Sequence, residues 1–308
     1  MWQSQSVIPF VVFLFGLCIG SFLNVCISRI PEDLSIVSPG SRCPRCMKEI
    51  RAYDNIPVLS WLILQGKCRN CGLPISVMYP LVELATGLLF LLTYYEYGLT
   101  ISGLKWVFFA SLMVVLIVTD WRVRLLPDAV NWFGFGAGLA LATRISPGEG
   151  LAAVLEYRFG VEHFTPLMAA GIGLVEALLG AAVGSGFLWS AAWVYRAWKG
   201  HEGLGMGDVK MMALLGSFLG VRGVFLVLLG ASLVGTVVGI GNLGVLYATG
   251  WKRGVAERAA RRGLGGGSKL RWELAKRYHI PFGTFLGLAG LAVAYVWPWI
   301  ELKFVVAR

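Results

Sequence analysis

The stretch Gly205-Met206-Gly207-Asp208-Val209-Lys210 places an acid between two glycines and a long apolar run. A carboxylate there is costly to take out of water, so it is either the cap of a helix N-terminus or a working group. Glycines beside it let the backbone approach closely and adopt conformations closed to other residues. The working reading requires a second acid at the same depth. Asp120 supplies one, ending an earlier apolar run in Thr119-Asp120-Trp121-Arg122-Val123-Arg124-Leu125-Leu126-Pro127-Asp128. Two carboxylates that share a proton can hydrolyse a peptide with water, one as base and one as acid. The chain contains no Gly-x-Ser-x-Gly and no His-Glu-x-x-His, so the serine and zinc routes to the same chemistry lack their signatures. Asp128 competes with Asp120 for the role, although after Pro127 it also suits the first turn of the next helix.

A second group of reactive residues is Cys43-Pro44-Arg45-Cys46 and Cys68-Arg69-Asn70-Cys71, with 21 residues between the pairs. Four thiolates in two such knuckles match a tetrahedral structural zinc site, whose closed ligand set leaves no place for water. Two thioredoxin-like redox pairs are the alternative, but no βαβ pattern accompanies them. Cys18 and Cys26, in the first apolar run, read as packing residues.

The elements that must hold these groups are membrane helices. The chain of 308 residues is 57% hydrophobic and 14% charged, with a mean hydropathy of +0.71, and several of its runs reach the roughly 20 residues that span a bilayer. Apolar runs fall at about 7–27, 79–97, 104–119, 129–143, 167–195, 209–220, 223–248 and 282–300, with a tight turn expected from Gly220 to Gly223. The first run has no Lys or Arg before it and no small-residue cleavage site, so it reads as a retained helix and not a secretory signal. With the N-terminus outside, 21 of the 27 Lys and Arg fall in inner segments, as the positive-inside rule requires. The net charge of +10 is therefore topology, and nucleic acid is not an expected partner. The expected architecture is an all-α polytopic membrane protein of about eight transmembrane helices, with a small cytoplasmic zinc-knuckle domain between the first two. Its divisions are 1–30, a first transmembrane helix; 31–78, the zinc-binding domain; and 79–308, a seven-helix membrane peptidase domain. An outer loop near 144–166 is expected at the surface. The inner segment 251–280, with Trp251 and Trp272 among basic residues, is expected either to rest on anionic lipid or to be a solvated linker. Glu176 falls within the fifth run, towards its outer end, and His163, His201 and His279 fall in loops.

Further motifs join these. In order they are Gly20-Ser21-Phe22-Leu23-Asn24-Val25 with Arg29-Ile30-Pro31, Asn55-Ile56-Pro57-Val58-Leu59-Ser60-Trp61-Leu62, and Tyr79-Pro80-Leu81-Val82-Glu83-Leu84. Glu202-Gly203-Leu204 before the glycine-aspartate turn and Ile280-Pro281-Phe282-Gly283 complete the set. Together with the knuckles and both aspartates, the chain resembles the type IV prepilin peptidases, the leader peptidases and N-methyltransferases of type IV pilus and type II secretion systems. The resemblance implies Asp120 and Asp208 as catalytic residues, supported by Gly205, Gly207, Lys210 and Asp128. It implies a prepilin or pseudopilin substrate cut at the cytoplasmic face of the bacterial inner membrane, typically between Gly and Phe. It further implies methylation of the new amine from S-adenosylmethionine, in a half of the chain that contains Gly20, Asn24 and Glu83. Met78 stands where the family commonly has Arg, and Thr284 where Pro is usual. Two other readings are a Gly-x-Gly-Asp intramembrane protease acting on a different substrate, and a cation-binding transporter. The zinc knuckle argues against the first. The second would more often place its acids near the midplane.

Overall fold

The computed structural model describes residues 2–143, 165–201, 203–248 and 281–306, with side chains in 7–143, 165–201, 203–241 and 281–296. Glu202, His163, His279, segment 251–280 and all but the last two residues of loop 144–166 lie outside the described residues. The elements are α1 (Trp2–Arg29), α2 (Leu59–Ile63), α3 (Met78–Tyr97), α4 (Ile101–Val123), α5 (Asp128–Ala142), α6 (Pro166–Lys199), α7 (Met206–Ala248) and α8 (Phe282–Val306). Among the described residues, strand pairing is limited to two isolated bridges, Arg42 with Glu49 and Lys67 with Pro74. Among the described residues, five helices, α1, α3, α4, α6 and α7, are long and apolar enough to cross a membrane.

Local chemistry sets the helix ends. Thr100 accepts the Gly103 N–H at 3.1 Å to cap α4, and Thr165 accepts that of Met168 at 3.3 Å to cap α6, with Pro166 in the first turn. Arg124 takes a left-handed conformation that stops α4 four residues after Asp120. Gly200 does the same for α6.

Within α7 the helix breaks at Gly220 (φ 65°). A Cβ placed on Gly184 of α6 would touch both Met212 Cε at 3.1 Å and Val224 Cγ1 at 3.0 Å. Residues 212 and 224 of a straight helix would be about 18 Å apart, so the chain folds back at Gly220. The expected turn is present, and α7 is two antiparallel limbs. Counting both limbs, the described residues hold eight α-helical segments besides the short α2. Glu176 sits against this turn, its Oε1 lying 2.6 Å from where a Gly220 Cβ would be.

The core lies where α4, α7 and α8 meet, with Phe109, Met113 and Leu116 against Met211, Met212, Leu214, Leu215 and Leu286, all fully buried. Where α6 crosses α7, a Cβ on Gly216 would lie 2.3 Å from the Gly180 carbonyl carbon. Small residues that let backbones meet are the usual way helices bind in lipid. Gly216→Ala should therefore cost at least the roughly 3 kcal/mol at the upper end of overpacking. Gly186→Ala, whose Cβ meets nothing within 4 Å, should cost nothing. Thermal unfolding of both variants in detergent checks this, and equal midpoints would refute the contact.

Candidate active site

Asp120 occupies the last turn of α4 and is buried, with 6% of its surface exposed. Its Oδ2 accepts two hydrogen bonds from Thr284, at 2.6 Å from the backbone N–H and 2.9 Å from Oγ1. Asp208 is the third residue of α7 and half-buried. Its N–H closes a turn onto the Gly205 carbonyl at 3.1 Å, and its carboxylate curls back toward the Gly205 backbone. A Cβ on Gly205 would rest in ordinary contact with that carboxylate, 3.5 Å from Oδ2.

Leu126 joins the two halves. A Cβ on Gly207 would fall 3.0 Å from Leu126 Cβ, and one on Gly283 would fall 2.8 Å from Leu126 Cδ1 and 3.0 Å from Asp120 Oδ2. Two glycines thus admit one leucine between the starts of α7 and α8, beside Asp120. The residues 88 apart in sequence end at one rim of the bundle, where the charge of Asp120 acts on Asp208. At the same rim, Lys210 Nζ lies 2.6 Å from Asp128 Oδ2, with 60% of the Asp128 side chain exposed. That pair ties the start of α5 to the start of α7. Asp128 opens α5, its carboxylate paired with Lys210.

Gly20, Asn24 and Glu83 come together elsewhere, where α1 packs on α3. A Cβ on Gly20 would lie 2.7 Å from Glu83 Cα, and Asn24 Nδ2 donates to the Tyr79 carbonyl at 3.0 Å. Glu83 is buried, accepts the Val58 N–H at 2.7 Å, and is hydrogen-bonded by Ser21. Val58 has φ 61°, a costly conformation for a β-branched residue. A membrane carboxylate therefore holds a strained loop that precedes α2.

Each cysteine pair sits in its own tight turn. Met47 N–H bonds the Cys43 carbonyl and Gly72 N–H that of Cys68, both at 2.9 Å, and both residues are left-handed, at φ 58° and 67°. The four Sγ atoms lie within 4.8 Å of one another, with Cys43 Sγ 3.9 Å from Cys71 Sγ. Four thiolates around a zinc ion stand about 3.8 Å apart, so the donor set fits one metal ion. The backbone N–H groups of Cys71 and Asn70 pull the Cys68 thiol down to about 7, while the neighbouring thiols push Cys71 up to about 11, so the cluster shares its protons until a cation takes their place. Arg69 grips Asp54 at 2.6–3.0 Å and holds its carboxyl below the usual range. Of the other cysteines, Cys26 is buried and Cys18 exposed on the outside of α1. His201 follows the end of α6 with its ring against Tyr195.

Two family models match the chain, the Bacterial Peptidase A24 N-terminal domain over residues 14–97 and the Type IV leader peptidase family over 107–240. A prepilin leader peptidase/N-methyltransferase of Myxococcus xanthus is 38% identical, covering 95% of this chain and 92% of that protein. The chain belongs to the type IV leader peptidase family. Proteins of the same name from Aeromonas hydrophila and Bacillus subtilis are 32% and 33% identical, each over 93% of this chain and 90% and 93% of their own. No solved structure matches. The N-terminal family model joins α1, the knuckles and α3, and the leader-peptidase model contains both aspartates. Sequence reasoning overlooked Thr284, singled out only as a departure from the family pattern. The available signal was the glycine before it, which leaves room for a neighbour's side chain.

Proposed function

We propose that this membrane enzyme removes the leader from type IV prepilins or pseudopilins with Asp120 and Asp208, then methylates the exposed amine. The observation that carries this reading is the convergence of those two acids, from the end of α4 and the start of α7, on one rim. One carboxylate takes a proton from water as its oxygen bonds to the scissile carbonyl carbon, and the other protonates the carbonyl oxygen. The first then returns its proton to the amine as the C–N bond breaks. Gly205 and Gly207 allow the tight turn and close approach, while Lys210 and Asp128 brace the helix starts. The rim lies at the cytoplasmic face of a bacterial inner membrane, supported by the 21 basic residues in the loops of that side. Membrane lipid surrounds the apolar faces, and the four cysteines hold a structural zinc ion that shapes the cytoplasmic domain. On this reading residues 1–30 are the first membrane helix, 31–78 the zinc domain and 79–308 the seven-helix peptidase part.

S-adenosylmethionine supplies the methyl group when bound. The buried Glu83 carboxylate suits a cationic donor or the substrate's ammonium group, and Gly20 and Asn24 bring α1 close enough to frame it. Glu83→Gln keeps the hydrogen bond to Val58 but loses the charge. It should lower methyl transfer roughly tenfold or more while leader removal continues. Mass spectrometry of the mature pilin N-terminus after co-expression reports cleavage position and methyl count together. An uncut leader with the wild-type chain would end the whole reading, and full methylation by Glu83→Gln would end the role of Glu83.

A further inference from the structure

We infer that Thr284 is a positioning residue for hydrolysis, holding Oδ2 of Asp120 as a pure acceptor so that Oδ1 is the oxygen that takes the proton of water. This rests on Asp120 and Asp208 being the catalytic pair. Thr284 is the third residue of α8, so its N–H is one of the first four that a helix cannot satisfy internally. The bond goes to Asp120 Oδ2 at 2.6 Å, and the hydroxyl reaches the same oxygen at 2.9 Å. The Ile117 carbonyl, at 3.4 Å, is the longer alternative for the single hydroxyl proton. Both residues are buried, with 4% and 6% exposed, so water does not compete for either bond. Gly283 makes the approach feasible, since any side chain there would meet the same oxygen and Leu126.

The helix carrying these donors is itself fixed at a distance. Eleven residues on, about 16 Å along the axis, Tyr295 Oη meets Thr93 Oγ1 at 2.7 Å, and Tyr97 Oη donates to the Ala294 carbonyl at 3.0 Å. α8 is therefore anchored on α3 beyond the core and on Asp120 at the rim. Donors held this way need no reorganisation when charge moves, which is what electrostatic preorganisation requires. An oxygen facing two donors has no room for its own proton. The shared proton then resides on Asp208, which gives it to the scissile carbonyl oxygen as Oδ1 of Asp120 accepts one from water. In the second step Oδ1 returns its proton to the leaving amine as the C–N bond breaks. Asp208 recovers a proton from the collapsing diol, and the pair ends as it began.

The test uses the purified full chain in detergent with a synthetic prepilin peptide, measuring kcat and KM. Thr284→Val keeps the N–H and the shape but removes the hydroxyl. It should lower kcat roughly tenfold with little change in KM, and Thr284→Ser should restore most of the rate. Methyl transfer to a pre-cleaved peptide, in the same preparations, checks that the protein is folded. Thr284→Val matching the wild type while Asp120→Asn is inactive would overturn the role of Thr284 alone. Loss of kcat in Thr284→Ser as deep as in Thr284→Val would also overturn it, because the hydroxyl would then not be what matters. Wild-type cleavage by Asp120→Asn would instead overturn the reading of the pair.

Discussion

Asp120→Asn and Asp208→Asn should each reduce leader removal by a factor on the order of 10²–10⁴, the usual worth of a positioned acid or base. Asparagine preserves the size of the side chain, and with it the packing around Leu126 and the turn at Gly205, but it cannot carry the transferred proton. The double variant should be little worse than either single one, since groups that share one proton act as a unit. Methyl transfer to a pre-cleaved substrate should persist in all three, because Glu83 and its neighbours lie on α1 and α3, which these changes leave alone. Separation of leader from product on a gel, with mass spectrometry of the N-terminus, gives both readouts. Cleavage at the wild-type rate by either single variant would sink the paired-carboxylate mechanism.

Cys43→Ser or Cys71→Ser should remove a metal ion present at about one per chain. Structural zinc contributes on the order of 10–16 kcal/mol to small domains that it folds, and the knuckle region has little core of its own. Among its described residues only Cys43, Ser60 and Gly66 are buried, and Val37, Met47, Leu62 and Ile63 are exposed. The cysteine variants should therefore lose folded protein before they lose cleavage chemistry. They should also lose methyl transfer early, because Val58 hangs between the two pairs and its N–H is the one that Glu83 holds. Metal analysis of protein purified without chelator checks the first point, and finding none would refute it. Retention of full methyl transfer after chelation would separate Val58 from the metal.

Much of the scaffold was legible because its causes are local. Apolar length alone announces a membrane helix, and the runs at 79–97 and 104–119 reappear as α3 and α4. Gly220 and Gly223 announced a reversal, since the pairing of φ 65° with ψ −173° seen at Gly220 is essentially open to glycine alone, and α7 does fold back there. Cys-x-x-Cys is just as local, for two thiols three apart in a tight turn face one ion wherever the loop lies. The position of Asp128 on its helix was equally readable from Pro127, yet its partner was not. Lys210 lies 82 residues away, and only the packing of α5 beside α7 brings it near.

The same boundary separates what the chain's order settled from what its folding settled. Residue types and spacing determined eight apolar segments, the four-thiol cluster and two acids at the ends of their apolar runs. Tertiary packing decided that Thr284, 164 residues from Asp120, supplies both hydrogen bonds to one oxygen. It also decided that Glu83 holds the loop at Val58, and that Leu126 fits between two glycines from different helices. Hydropathy fixes how deep a residue sits, through the lipid around it. Which residue it faces depends on the rotation of each helix about its axis, and that is chosen by side-chain fit between helices that no local pattern encodes.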